Sequence, residues 1–286
     1  MHSSQSSRWM LAVSMAVFGT LAPFVRNIPV SSGELALYRA VLAAILIGVF
    51  LLATKQRIDL QAIRKELPLL LLSGVAMGIN WILLFEAYKY TTVAISTLSY
   101  YFAPVIVTVV CPFLFKEKPT GKQILCFVMS TIGLALVIGI TDLGSGGNDG
   151  LGIAFGLGAA VFYAAVILLN KFIRGVTGIH RTFLQFLAAI AILIPYVAVS
   201  GGMSLGNLNV TGWVCLLIVG LVHTGITYCL YFSALKELPG QESAILSYID
   251  PLVAIVIGVL VLGEPLSWQQ LVGGGMILGF TLWNEL

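Results

Sequence analysis

Charged residues are scarce in this sequence. Only 9% of its 286 residues are Asp, Glu, Lys or Arg, against about a quarter in a typical soluble domain, and its mean hydropathy is +1.01. Such a chain lacks the polar side chains needed to cover a compact fold in water. The sequence therefore predicts a polytopic membrane protein whose first partner is the lipid bilayer. The net charge of +3 gives no reason to expect nucleic acid.

Two motifs typical of metalloproteases and of ATP-driven pumps are also missing. The sequence has no H-E-x-x-H metalloprotease motif and no G-x-x-x-x-G-K-[ST] phosphate loop. Its four cysteines lie in apolar runs at unrelated spacings, which predicts buried, inert thiols: Cys111, Cys126, Cys215 and Cys229. We therefore expect no disulfide, no metal site and no cofactor. An ATP-driven pump is disfavoured by the missing phosphate loop, and an intramembrane enzyme is a less favoured alternative.

Apolar runs long enough to cross a bilayer, which takes about 20 residues each, fill most of the chain. Ten candidates are 9–26, 33–53, 67–88, 93–115, 121–140, 151–171, 181–199, 211–234, 241–262 and 267–284. The first lacks a small-residue cleavage pattern, so we expect a retained span rather than a signal peptide. Only the linkers 54–66 and 141–150 are longer than turns, and neither suffices for a soluble domain. Glycines in "GVAMG" (74–78) and "GMILG" (275–279) are expected to pack helices closely.

Basic residues are distributed unequally between the two sets of loops. One set of ends and loops carries twelve of them: Arg8, Lys55, Arg57, Arg64, Lys65, Lys116, Lys118, Lys122, Lys171, Arg174, Arg181 and Lys236. The opposite set carries only Arg26 and Lys89, and Arg39 falls within a span. Because basic loops stay on the cytoplasmic side, this asymmetry predicts that both termini are cytoplasmic in the plasma (inner) membrane. An even number of spans predicts the same.

The two halves of the chain share a pattern at a constant offset of 147 residues. Segment 96–117, "STLSYYFAPVIVTVVCPFLFKE", aligns without a gap to 243–264, "SAILSYIDPLVAIVIGVLVLGE". Tyr101 matches Tyr248, and Pro104 matches Pro251. Five spans in each half place the second half upside down relative to the first. The sequence therefore predicts an all-α protein of two inverted five-helix repeats, 1–140 and 151–286, joined by an outer linker at 141–150.

The paired prolines interrupt the fourth and ninth spans at equal depth. A proline inside a helix removes a backbone hydrogen bond and permits a kink. Pro104 and Pro251 are therefore candidate hinges, with a static packing kink as the equal alternative. The residue before each proline differs, being Ala103 in the first half and Asp250 in the second. The repeat explains Pro251 but leaves Asp250 unexplained.

Three stretches carry a resemblance to a known family. They are "ELALYRAVLAAILIGVF" (34–50), "FEAYKYTTVAISTLSYYFAPVIV" (85–107) and "FSALKELPGQESAILSYIDPLVAI" (232–255). With these the chain resembles the drug/metabolite transporter superfamily, its ten-helix EamA-type branch, and most of all the YddG-type aromatic amino acid exporters. The resemblance implies a central cavity lined by spans 1, 3, 4, 6, 8 and 9, and the export of small metabolites. An acid before the ninth-span proline is not a feature that the resemblance supplies.

Helical spacing suggests which side chains face such a cavity. Ser243, Ser247, Asp250 and Ala254 form one stripe, and the offset places Ser96, Tyr100, Ala103 and Val107 on the matching face of span four. On span eight, His223, Thr227 and Tyr231 recur every fourth residue. The candidate substrate-binding residues are Phe18, Asn80, Trp81, Tyr100, Tyr101, Phe162, Tyr163, His223, Tyr228, Ser247, Tyr248 and Asp250. Packing or interfacial roles are the alternatives, and they are favoured for Tyr88 and Tyr90.

Ionisable residues inside the spans are the strongest candidates for functional roles, because burying a charge in the membrane is costly unless it faces a partner or water. Arg39 is expected to be structural, either snorkelling outward or pairing with Glu34 or Glu86. Asp250 is expected to bind a substrate ammonium group or a proton, with His223 as a possible neighbour. The alternative for Asp250 is burial against Arg39 or a hydroxyl group, and the equal alternative for His223 is a hydrogen bond to a neighbouring helix. We therefore predict a monomeric secondary transporter exporting small amphipathic molecules, above all amino acids including aromatic ones. Export of other metabolites or drugs is the alternative, and a channel is disfavoured for want of a filter-like loop.

Overall fold

The computed structural model describes residues 2–56, 58, 64–115, 120–138, 149–176, 178–235, 238 and 246–286. Within these ranges the secondary structure is helical and contains no strand. The α-helices are α1 (His2–Gly19), α2 (Leu21–Arg26), α3 (Ser32–Ala53), α4 (Leu67–Tyr90), α5 (Val93–Tyr100), α6 (Ala103–Phe115), α7 (Gly121–Ile138), α8 (Asp149–Phe172), α9 (Gly178–Val199), α10 (Val210–Leu217), α11 (Thr227–Leu235), α12 (Ile249–Leu260) and α13 (Trp268–Glu285). A π-helix, Ile218–Ile226, joins α10 to α11, and a short 3₁₀ turn occupies Leu205–Asn207.

Six helical stretches of the described chain are long and apolar enough to cross a membrane. They are Gln5–Arg26, Ser32–Ala53, Leu67–Tyr90, Asp149–Phe172, Gly178–Val199 and Val210–Ala234. Shorter apolar helices cover Val93–Val107, Gly121–Val137 and Ile249–Leu260. All nine fall on apolar segments that the sequence predicts to be spans, so the chain is a multi-pass membrane protein.

Polar caps fix where several helices begin. Ser31 and Ser267 each accept a hydrogen bond, through the side-chain oxygen, from the backbone N–H of the third helical residue. The side chain of that third residue accepts a hydrogen bond from the N–H of the serine, which completes a capping box. Thr92 caps α5 and Asn209 caps α10 in the simpler one-bond form. All four caps lie in loops that the charge asymmetry predicts to be outside.

The predicted fourth and ninth spans are both interrupted, and at matching positions of the two segments aligned by the offset of 147 residues. Residues 101 and 102 separate α5 from α6, and a turn at Tyr248 precedes α12. Pro104 and Pro251 follow as the second and third residues of α6 and α12, where a missing N–H costs no helical hydrogen bond. The prolines therefore begin new helices rather than kink continuous ones. Whether these breaks act as hinges remains a prediction.

Glycines allow two pairs of helices, α4 with α9 and α7 with α13, to approach closely. A Cβ placed on Gly74 would lie 2.5 Å from Ala188 Cβ on α9, as expected for "GVAMG". Gly133 and Gly273 bring the backbones of α7 and α13 together. The expectation for "GMILG" is wrong, since neither Gly275 nor Gly279 has a neighbour within 4 Å of an added Cβ.

Candidate functional site

A cavity of about 460 Å³ lies among the helices and has a largely aromatic wall. Nine of the predicted binding residues line it, together with Pro104: Phe18, Trp81, Tyr100, Tyr101, Tyr163, Tyr228, Ser247, Tyr248 and Asp250. The wall includes residues of the expected spans 1, 3, 4, 6, 8 and 9. It also includes Arg39 from α3 and Arg181, Thr182 and Gln185 from α9, which the sequence did not lead us to expect.

Three predicted binding residues lie outside the cavity wall. Asn80 is buried and its Nδ2 donates a hydrogen bond to the Ala159 carbonyl on α8, at 2.7 Å. The cavity face of α4 runs instead through Met77, Trp81, Leu84 and Tyr88, so Asn80 is one residue out of phase. Phe162 is out of phase with the lining residue Tyr163 in the same way.

His223 is the third of these residues and is buried between helices. Its Nε2 lies 3.0 Å from Thr20 Oγ1, and its ring centroid is 5.0 Å from that of Phe24. It therefore joins the π-helix to the junction between α1 and α2. The hydrogen-bonded packing role considered for it from the sequence is the one the geometry supports.

The matching face of span four is rotated from the predicted one. Thr97, Tyr100, Tyr101 and Pro104 line the cavity. Ser96 and Ala103 are completely buried away from it, Ala103 in an apolar cluster with Ala160 and Ala164. On the ninth span Ser247, Asp250 and Ala254 line the wall as predicted, and Ser243 lies outside the described residues.

Asp250 is held at the break in the ninth span by a residue from the break in the fourth. Its Oδ2 accepts a hydrogen bond of 2.6 Å from the Tyr101 hydroxyl. Tyr101 packs edge-on against Tyr100, which stacks on Tyr163 with a centroid distance of 5.1 Å. Behind Asp250, a Cβ added to Gly19 would come within 2.6 Å of the Asp250 carbonyl oxygen. The carboxylate is thus fixed in the wall.

Arg39 has neither of the partners expected for it. Glu34 is engaged by Tyr38 and by the Ser204 hydroxyl, and Glu86 pairs with Lys89 at 3.2 Å. The Nε of Arg39 instead donates to Thr224 Oγ1 at 2.9 Å.

Two aromatic rings flank the same guanidinium group. Its central carbon lies 4.7 Å from the ring centroid of Trp81 and 5.5 Å from that of Phe85. Trp81 packs in turn against Phe186, and Phe186 against Tyr228, so rings continue along this wall. Arg39 therefore belongs to the cavity rather than to the membrane interface.

Tyr88 and Tyr90 were expected at the membrane interface. Tyr88 is 8% exposed and lines both the central cavity and a second pocket of about 680 Å³ at the end predicted to be outside. The Tyr88 side chain therefore lies between the central cavity and the second pocket. Tyr90 is half-buried and stacks on Phe155 with a centroid distance of 5.5 Å.

An ionic network lies at the predicted outer end. Arg26 forms a salt bridge of 2.6 Å with Glu264, and its guanidinium also donates to the Thr91 carbonyl at 3.1 Å. Glu264 Oε2 accepts a bond of 2.7 Å from the N–H of Val93, the first residue of α5. These contacts join the ends of α2, α4, α5 and α12.

A different polar cluster lies in the cavity wall toward the basic end. Gln185 Nε2 donates to Ser73 Oγ at 2.6 Å and to Asn170 Oδ1 at 2.8 Å. Arg181 donates to the Asn170 carbonyl at 3.3 Å. The basic end of the cavity is therefore polar, and its central wall is aromatic.

One G-x-S-x-G match, "GMSLG" at 202–206, does occur in the chain. In hydrolases this motif forms a strand-to-helix elbow that exposes the serine. Here it belongs to a loop and a 3₁₀ turn, and the Ser204 hydroxyl donates to the Glu34 carboxylate at 2.8 Å. Ser204 is therefore a structural partner of Glu34.

The apolar helices and the central cavity with its aromatic wall define a multi-pass membrane protein with an internal cavity. The sequence profile of the EamA-like transporter family matches residues 6–139 and again residues 150–284. The chain therefore belongs to the EamA-like transporter family, within the drug/metabolite transporter superfamily, and is a transporter. A catalytic role has no support from these matches.

Named relatives agree with this assignment. The chain is 31% identical over 268 residues to an uncharacterized transporter, YxxF, of Bacillus subtilis, covering 93% of this chain and 85% of that protein. It is 30% identical over 138 residues to the threonine/homoserine exporter RhtA of Escherichia coli, covering 48% and 46%. A solved crystal structure has the same fold at 17% identity, with a TM-score of 0.66 and 96% of each chain covered.

Proposed function

We propose that the protein is a secondary transporter that exports small amphipathic metabolites by alternating access, with amino acids, including aromatic ones, as its substrates. The observation that carries the proposal is the aspartate fixed among aromatic rings in the wall of the central cavity. A volume of about 460 Å³ lies within the range of roughly 300–1,000 Å³ common for small-molecule sites.

The chemistry of the wall suits an amino acid. Tyr101 occupies Oδ2 of Asp250, and within the described residues no other side chain hydrogen-bonds this carboxylate. Its other oxygen is therefore available to a substrate ammonium group. Stacked rings such as Tyr100 and Tyr163 offer flat apolar surfaces to an aromatic side chain, and their faces also attract cations. The name of RhtA, an amino acid exporter of the same family, supports this substrate class.

The proposed architecture is ten transmembrane helices in two inverted five-helix repeats, with both termini in the cytoplasm and the chain in the plasma membrane. The double match of the family profile and the constant offset of 147 residues support it. So do the helix breaks at Tyr101 and Tyr248, because transporters with inverted repeats bind substrates where helices are discontinuous. Alternating access would then rock one group of helices against the other.

Counterflow into proteoliposomes tests the proposal. Vesicles preloaded with each amino acid in turn should accumulate the labelled form of a true substrate, with and without a pH gradient. Asp250→Asn keeps the size of the side chain and removes its charge. If Asp250 binds the ammonium group, this change should weaken the binding of amino acids by about tenfold or more and leave the binding of analogues without an amine unchanged.

Two results distinguish the remaining possibilities. If Asp250 accepts a proton instead, Asp250→Asn should bind amino acids normally and lose only the pH dependence of transport. Tyr101→Phe is the matched control. It removes the hydrogen bond to Asp250 and keeps the carboxylate, so it separates loss of this hydrogen bond from loss of the charge of Asp250. A screen in which drugs or sugars exchange and amino acids do not would refute the proposed substrate class.

A further inference from the structure

Arg39 is a buried cation without an anion. It is 4% exposed, and Thr224 is its only hydrogen-bond partner among the described residues. That bond uses Nε and leaves the two terminal nitrogens, Nη1 and Nη2, without a protein acceptor there. No carboxylate of the described chain forms a salt bridge with it. A buried charge is expensive unless it is paired, so the arrangement is incomplete without an anion in the cavity.

The guanidinium group is held in a fixed orientation. Thr224 donates its own hydroxyl proton to the Val219 carbonyl at 2.8 Å, so its lone pairs face the Nε of Arg39. The bond from residue 224 to residue 219 follows the i→i−5 register of the π-helix, a feature that is frequent at functional sites. Trp81 and Phe85 lie near the guanidinium group. An arginine fixed in this way presents its terminal nitrogens as a fork that matches a carboxylate.

Arg39 and Asp250 line the same cavity without pairing with each other. Asp250 is bonded to Tyr101, and Arg39 to Thr224. A zwitterion satisfies both charges at once, whereas an amine or an acid alone leaves one of them unpaired. We infer that Arg39 binds the α-carboxylate of the substrate while Asp250 binds its ammonium group, so that the cavity selects zwitterionic amino acids and sets their orientation. The inference rests on the proposed function and names a recognition residue for it.

A series of four ligands tests the inference on the unmodified protein. Phenylalanine carries both charges, its methyl ester and phenethylamine keep only the ammonium group, and 3-phenylpropionate keeps only the carboxylate. Binding is measured by the ligand-induced shift in thermal stability and by competition in counterflow. Phenylalanine should bind about ten- to hundredfold more tightly than any of the others, as expected for a charge-assisted bidentate contact. An ester that binds as well as phenylalanine would overturn the inference without any mutation.

Two variants then assign the charges. Arg39→Gln should weaken phenylalanine and 3-phenylpropionate by about tenfold or more and leave phenethylamine unchanged. Asp250→Asn should weaken the binding of phenylalanine and phenethylamine and leave that of 3-phenylpropionate unchanged. If Arg39→Gln weakens phenethylamine as much as phenylalanine, Arg39 supports the cavity only as packing and the inference fails. Arg39→Lys, which keeps the charge and loses the fork, provides a second folded protein and should show the same ligand pattern with a smaller loss.

The failure of the inference is distinguishable from the failure of the proposed function. A wild-type protein that exchanges no amino acid at all refutes the proposed function. A wild-type protein that exchanges phenylalanine and its ester equally leaves amino acid transport standing and removes the role of Arg39. Thr224→Val should weaken phenylalanine and leave phenethylamine unchanged, because it releases the positioning of Arg39 without touching Asp250.

Discussion

The contact between α7 and α13 is close enough for one methyl group to test it. A Cβ added to Gly133 would lie 2.6 Å from the Gly273 carbonyl oxygen and 2.9 Å from Met276 Cβ. A Cβ added to Gly273 would meet the Gly133 carbonyl oxygen in return, with Leu136 Cβ at 3.0 Å. Since real Cβ atoms essentially never come within 3.0 Å of such neighbours, the helices must separate by at least about 0.4 Å in the Gly133→Ala variant.

The expected magnitude follows from comparison with a second glycine. Gly275 lies two residues from Gly273 on the same helix and has nothing within 4 Å of an added Cβ. Alanine gains up to about 1 kcal/mol of helix propensity over glycine at either position, so this gain cancels between Gly273→Ala and Gly275→Ala. What remains is the overpacking, which costs about 1 to 3 kcal/mol. The free energies of unfolding of the two variants should differ by that amount.

Thermal or denaturant unfolding in lipid–detergent micelles measures this difference, and ligand binding provides the functional control. Neither α7 nor α13 contributes a residue to the cavity wall, so Gly273→Ala should bind substrates with unchanged relative affinities. Equal stability of the two variants would refute the reasoning, because it would mean that α7 and α13 do not meet backbone to backbone. A change in ligand preference would show that the fifth and tenth spans communicate with the cavity.

Two further predictions concern topology and movement. Cysteines placed in 141–150 should react with impermeant reagents from outside intact cells and those in 54–66 should not, and the reverse labelling would overturn the proposed orientation. Pro104→Ala and Pro251→Ala should slow turnover more than they weaken substrate binding, whereas normal turnover in both would leave the prolines as packing features.

Hydropathy and the internal offset predicted much of the fold correctly. Apolar runs depend only on local composition, and the helices of the structure lie on them. The offset of 147 residues paired Pro104 with Pro251 as points of interruption, and the helices break at Tyr101 and Tyr248, three residues before each proline. The matching positions of the two breaks agree with the proposed repeat, in which an interruption in one half predicts an interruption in the other.

The wall of the cavity was harder to predict, because a shift of one residue turns a side chain by 100°. Trp81 was placed correctly and its neighbour Asn80 was not. On span eight a regular α-helical period pointed to His223 and Thr227. The π-helix changes the register there, so of the stripe His223, Thr227 and Tyr231 only Tyr231 lines the cavity. The candidate Tyr228 lines it as predicted, and Phe232 lines it without having been predicted. No local signal of a π-helix was evident in an apolar run.

The role of Arg39 depended on a partner distant in the chain. Its hydrogen-bond acceptor, Thr224, is 185 residues away, while the two acids expected to pair with it, Glu34 and Glu86, are both engaged elsewhere. Sequence proximity therefore suggested an ion pair that the fold does not form. Asp250 was identified more easily, because an acid beside a proline in an apolar run is conspicuous on its own.

The ionic network at the predicted outer end makes a last prediction about the transport cycle. Glu264 joins Arg26 to the first N–H of α5, and its side chain is only 9% exposed. Glu264→Gln removes the charge that attracts Arg26 and keeps an oxygen that accepts from Val93. Removing one partner of a partly buried ion pair costs more free energy than removing one partner of an exposed pair. We expect a cost of about 1 to 3 kcal/mol here.

If these contacts hold the outer end shut, the loss of about 1 to 3 kcal/mol raises the population of outward-open molecules by roughly five- to 150-fold. A cysteine replacing Thr97, which lines the cavity, should then react faster with an impermeant reagent added outside. Glu86→Gln is the matched control. Its partner Lys89 is 45% exposed, so loss of that pair should cost at most about 1 kcal/mol and leave labelling unchanged. Equal labelling rates in the two variants would mean that the Arg26–Glu264 pair stabilises the fold without controlling access to the cavity.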